Sequence, residues 1–139
     1  MRGVPNQRFD LGNNNFYTIK PDHRDATLGK SQWKVTETQE VEIFHAAYTA
    51  KWVVNNTAWG LYRPEQMVQM LGLDKTHASE VFIAKFVRDD NAPDWHGYPV
   101  AHTVSADVPD TSVLGAWQAE KILPGAKLRK IAKMQPCKL

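Results

Sequence analysis

Apolar positions are sparse and follow no period over residues 1–15, which include three consecutive asparagines. This stretch reads as a loose N-terminal arm ahead of one globular domain, 16–139. Phe16 to Lys20 reads as a short strand that Pro21 stops. The connector DHRDATLGKSQW gathers Asp22, His23, Arg24 and Asp25 in what reads as a surface turn. The clearest period begins at Thr36. Thr36 and Gln39 have the spacing of a capping box, and Glu37, Glu40 and Glu42 suit the positive end of a helix dipole. Val41, Phe44, Tyr48 and Trp52 then recur at i, i+3, i+7 and i+11, widened by Ile43, Ala46, Ala47, Ala50 and Val53. The pattern predicts a helix of about five turns over 36–55, central to the fold because its apolar face is broad.

Pro64, with Met67, Val68, Met70 and Leu71 behind it and Gly72 as a stop, predicts a short second helix over 64–71. Residues 80–87 (EVFIAKFV) are rich in β-branched and aromatic side chains and predict a buried strand. Tyr98 to Val104 predicts a second, irregular strand, with Pro99 placing it at a sheet edge. Asp110 or Ser112 caps a third helix through Val113, Leu114, Ala116, Trp117 and Ile122. Pro124 opens a fourth over 126–134, with Leu128 and Ile131 inward and Pro136 as its end. The pattern as a whole predicts an α+β fold: a long central helix on a small, mainly antiparallel sheet, with C-terminal helices.

One segment admits another reading. PEQMVQMLGLDKTHASEV resembles the DNA-binding helix-turn-helix over about 20 residues, with Val68, Gly72, Ala78 and Val81 in the spaced apolar and turn positions. The resemblance implies an all-α domain with Thr76, His77 and Ser79 facing a major groove. Against it stands EVFIAKFV, which prefers a strand where the recognition helix should continue.

Charge adds a second asymmetry. The net charge is +2, but residues 121–139 hold Lys121, Lys127, Arg129, Lys130, Lys133 and Lys138 and no acid. The rest of the chain is mildly acidic. A basic end of this kind seeks an anionic partner, nucleic acid or an acidic protein surface, unless it is simply a solvated helix face. Trp117 could add stacking there or belong to the core. Cys137 is the only cysteine, so no disulfide scaffold forms within the chain. No apolar run approaches the ~18 residues of a membrane span, and the N-terminus has no apolar leader segment. A cytoplasmic protein without membrane contact is the expectation.

Residues 88–102, RDDNAPDWHGYPVAH, concentrate chemistry-bearing side chains. His96 and His102 could serve as general acid and base, with Arg88 supporting a developing charge and Asp94 nearby, as in metal-independent RNA cleavage. Trp95 and Tyr98 could stack on a base or ligand ring, with His96 supplying a hydrogen bond. The spacing of the two histidines matches no short zinc motif, and no metal or cofactor is expected. The competing reading is a structural turn, in which Asp89 to Asn91 ends a strand, Pro93 and Gly97 shape the backbone, and Trp95 and Tyr98 cover the core.

Three functions follow as expectations. The first is a small non-enzymatic protein that binds nucleic acid or an acidic protein through Lys127, Arg129, Lys130 and Lys133, aided by Trp95 and Tyr98. The second is a nuclease or other hydrolase of toxin-domain type using His96, His102, Arg88 and Asp94. The third is an immunity or inhibitor protein with one protein partner.

Overall fold

The computed structural model describes residues 7–90 and 92–139. Among them lie nine strands: β1 (Arg8–Asp10), β2 (Phe16–Thr18), β3 (Gln32–Trp33), β4 (Val53–Val54), β5 (Thr57–Leu61), β6 (Gly72–Leu73), β7 (Glu80–Val81), β8 (Ile83–Arg88) and β9 (Asp94–Val100). Three helices accompany them: α1 (Glu37–Thr49), α2 (Thr111–Ala119) and α3 (Gly125–Ala132). Six strands form one sheet in the order β1-β2-β9-β8-β5-β4, and β3-β6-β7 form a second, small one. The large sheet is mixed, because β2 and β9 run parallel while its other pairs are antiparallel. The fold is α+β.

It is not the α+β arrangement expected. No long central helix organises it. The capping box at Thr36 forms, with Gln39 N–H donating to Thr36 Oγ1 and Thr36 N–H to Gln39 Oε1. The helix nevertheless ends at Thr49 and not near 55. Lys51 takes a left-handed backbone (φ 66°), its N–H bonds the Tyr48 carbonyl, and Trp52 N–H reaches back to the Ala47 carbonyl. That is a Schellman ending, which glycine usually provides. Lysine at this position leaves no stop signal in the sequence. Trp52 continues the apolar period only by coincidence: it packs edge-on against Trp117, ring centroids 5.7 Å apart. The other two helices end the same way, with Lys121 and Met134 left-handed.

The predicted helix over 64–71 is absent. A single 3₁₀ turn at Pro64–Gln66, with Glu65 and Gln66 left-handed, leads through extended chain into β6. The helix-turn-helix reading and its all-α fold are therefore overturned. Thr76 and His77 lie in a tight turn whose bonds are taken by Asp74, and His77 Nε2 meets the Lys30 carbonyl. Nor is the whole of 1–15 a loose arm. Residues 1–6 lie outside the described residues, but β1 pairs antiparallel with β2, and Ile19 N–H bonds the Gln7 carbonyl.

The predicted 80–87 strand divides at Phe82 into β7 of the small sheet and β8 of the large one. β9 begins at Asp94, earlier than expected, and lies inside the sheet and not at its edge. Pro99 is tolerated because β2 pairs with β9 only at Asp94 and Trp95, so no ladder N–H is required of Pro99.

Alternation along β8 and β9 sorts their residues to two faces. On one face Phe86, Trp95 and Tyr17 meet Phe44 of α1, with ring centroids 5.1 to 5.3 Å from Phe44 for Tyr17, Phe86 and Trp95. Gly97 sits opposite Phe86, and a Cβ there would stand 2.2 Å from the Phe86 ring. The other face carries Trp59, Leu61, Ile83 and Val100 against Val113, Leu114 and Trp117 of α2 and Leu128 and Ile131 of α3. Of the two caps the sequence offered, Asp110 takes the role by accepting from Ser112 N–H, and Pro124 precedes α3. No helix among the described residues is long and apolar enough to cross a membrane.

Candidate functional site

Strand alternation disperses the predicted site residues. Trp95 and Arg88 are register partners and share the α1 face. Trp95 is 1% exposed. Its ring is packed against Phe44 and Tyr48, and the Arg88 guanidinium lies 5.3 Å from its centroid. Arg88 also donates through Nε and Nη2 to Asn56 Oδ1, at 3.2 and 2.9 Å. Asp94, His96 and Tyr98 point to the opposite face. Asp94 accepts from Arg8 Nε at 2.8 Å, Arg8 Nη2 at 3.0 Å and Thr18 Oγ1 at 2.6 Å. The Arg8 hydrogen bond, foremost, holds its carboxyl below the usual range. Arg88 and His96 thus look away from each other across the sheet.

His102 has a different environment again. It is 9% exposed, and its Nε2 donates to the Gln135 carbonyl at 2.7 Å. Gln135 belongs to the Schellman ending of α3, so His102 ties the C-terminal segment to the loop after β9. It lines a recess with Pro136 and Cys137, while His96 lines an adjoining, larger cleft. His96, His102, Arg88 and Asp94 are not gathered round one point where an acid, a base and a charge could act on the same bond.

The larger cleft has a volume of about 600 Å³ and opens on the face left free beside the C-terminal helices. His96 and Tyr98 reach it from β9, and His23 comes from the 3₁₀ turn after β2. The His23 and Tyr98 rings stack, centroids 5.2 Å apart and planes 27° apart. His23 Nδ1 donates to the Ser31 carbonyl at 2.8 Å, which leaves Nε2 as an acceptor without a hydrogen-bond partner among the described residues. Burial lowers the pKa of both imidazoles; for His96 the nearby Lys20 adds to this. Burial, and then Asp107, raise the Tyr98 phenol. Sequence reasoning placed His23 in a surface turn. Only Pro21 marks its position locally, and its partner Tyr98 is far along the chain.

The basic segment is a second candidate. α3 buries Leu128 and Ile131 and turns Arg129 and Lys130 outward, and Lys133 follows at its end. Lys127 is half-buried and donates to the Leu139 main-chain oxygen at 3.0 Å. Lys121, Arg129, Lys130, Lys133 and Lys138 are exposed, and none has an ion-pair partner among the described residues. Trp117 is fully buried and takes no part in this surface. Among the described residues, no three His, Cys, Asp or Glu side chains gather so as to hold a metal ion.

Comparison of the chain with protein-family models, curated proteins and solved structures gives no match.

Proposed function

We propose that this protein binds nucleic acid by its phosphate backbone, through α3 and the segment that follows it. The observation that carries this reading is the acid-free stretch 121–139, in which five exposed cations stand without an anionic partner among the described residues. Arg129, Lys130 and Lys133 lie within about one turn of each other, a spacing of roughly 5 Å along the axis, so they can engage successive phosphates. An acidic protein is the weaker fit. Protein interfaces centre on buried aromatic or aliphatic anchors, and the only large apolar side chain exposed on this segment is Met134, at 41%. Trp95, buried against α1, offers no surface for base stacking, so this binding discriminates little between sequences.

Fluorescence anisotropy with a labelled duplex, read across salt concentrations, tests the proposal. The combined Arg129→Ala, Lys130→Ala, Lys133→Ala variant should bind at least tenfold more weakly and flatten the log K against log salt plot by about 3. Absence of binding at ~100 µM protein in low salt, or a salt slope that the variant does not change, would overturn the reading. Displacement by polyglutamate as efficiently as by unlabelled duplex would redirect it to an acidic protein partner.

A further inference from the structure

The cleft between β9 and the turn after β2 has no part in phosphate contact, yet it carries the most unspent polar chemistry of the described molecule. Its walls are of two kinds. The stacked His23 and Tyr98 rings make an aromatic side, and Val100, Ala101 and Val104 make an apolar one. A volume of about 600 Å³ lies within the range of small-molecule sites.

The charges in its lining are mostly committed elsewhere. Asp107 pairs with Lys85 at 3.3 Å, and Lys30 stands 4.0 Å from Asp22. Asp74 accepts from Thr76 N–H, Thr76 Oγ1 and Ser79 N–H inside its own turn. Lys75, exposed at the rim, is the one lysine or carboxylate of the lining without a partner among the described residues. Burial disfavours the charged forms of both imidazoles. Uncharged hydrogen-bonding groups remain. His96 has no hydrogen-bond partner among the described residues, nor has the Tyr98 hydroxyl, nor His23 Nε2 as an acceptor. A neutral imidazole offers one donor and one acceptor, and a phenol can do either.

From this the geometry points to a binding site for an uncharged planar ring that carries both hydrogen-bond donors and acceptors, the chemical class of a nucleobase or nucleoside, with the ring against the His23–Tyr98 wall and its polar edge toward His96. A planar ring uses the aromatic wall, and its donors and acceptors complete His96 and Tyr98. This site is independent of the basic face.

The test is saturation-transfer NMR and calorimetry with adenosine, guanosine, cytidine and uridine, with ribose and adenosine 5′-monophosphate as controls. At least one nucleoside should bind in the sub-millimolar range or tighter, unaffected by salt. His96→Ala and Tyr98→Phe should each weaken that binding about five- to tenfold, with circular-dichroism melting unchanged. The triple α3 variant should bind the nucleoside as the native protein does, so failure here and failure of the phosphate-binding proposal are separable. No transfer from any nucleoside at millimolar concentration overturns the inference. So does binding that His96→Ala and Tyr98→Phe leave intact, or ribose binding equally well. Salt-sensitive binding of the monophosphate without its nucleoside would show that charge, not the ring, is recognised, and overturns it too.

Discussion

Trp95 and His96 are adjacent in the chain and meet opposite fates. Trp95 enters an aromatic layer closed by α1, where its ring meets Phe44 and Tyr48 and Tyr17 is its register partner on β2. His96, one residue on, faces the side where α2 and α3 cover only part of the sheet and a cleft remains. The two faces share one backbone but not one purpose. The closed face spends its groups on each other, including the Glu40 carboxyl, which Tyr17 and Arg24 hydrogen-bond. The open face leaves polar atoms available. A residue list therefore says little about a site until strand phase divides it.

Substitutions on the two faces should separate accordingly. The largest effect is expected from Trp95→Ala, which removes a fully buried ring from the closed face and should cost about 3–5 kcal/mol in urea denaturation. A loss below about 1 kcal/mol would mean that this face is not the rigid one. Next comes Gly97→Ala, whose Cβ would collide with the Phe86 ring. Overpacking of this kind should cost about 1–3 kcal/mol, and relief by Phe86→Leu in the same chain would confirm the cause.

Glu40, a buried carboxyl on the closed face, gives a pH test. Glu40 is 1% exposed and accepts from Tyr17 at 2.5 Å and from Arg24 Nε and Nη2 at 3.1 and 2.8 Å. Burial dominates and raises its pKa from 4.5 to about 7, although Tyr17 and Arg24 pull the other way. The folded chain therefore keeps a proton that the unfolded chain releases above its own pKa. The stabilisation is full below 4.5 and is lost as pH rises through about 7, a change on the order of 3 kcal/mol. Denaturation midpoints of the native protein should fall relative to Glu40→Gln between pH 5 and pH 8. Parallel curves would remove Glu40 from the account. The smallest effect belongs to the open face: His96→Ala should change stability by no more than about 0.5 kcal/mol, and a larger loss would make His96 a packing residue after all.

What could be read in advance follows the range of the interactions. The Thr36–Gln39 capping box, the Asp110 cap and the proline before α3 are local, and each is present as the residues predict. The strand character of 80–87 is legible for the same reason, but not its division at Phe82. The end of α1 was not, because Lys51 occupies the left-handed position that glycine would have announced. Residues 64–71 imitate a helix in apolar content, but Glu65 and Gln66 turn left-handed and the chain joins a sheet instead. In the candidate site, His96 and Tyr98 were visible as residue types. Their separation from Arg88 and Trp95 depends on which face the strand turns to the cleft. His23 was invisible as a partner, since only the fold brings it to Tyr98.

The parallel pairing of β2 with β9 also sets an order of assembly. Arg8 and Asp94, 86 residues apart, are joined across it. Contacts at such separation are entropically late, since the intervening loop must close before they repay it. The β8–β9 hairpin with α1 is the natural early nucleus, and the N-terminal hairpin docks onto β9 afterwards, completing the cover over Trp95. During synthesis on the ribosome the β1–β2 hairpin emerges long before β9 and must wait, with its β2 edge uncovered, for residue 94 and its neighbours to follow.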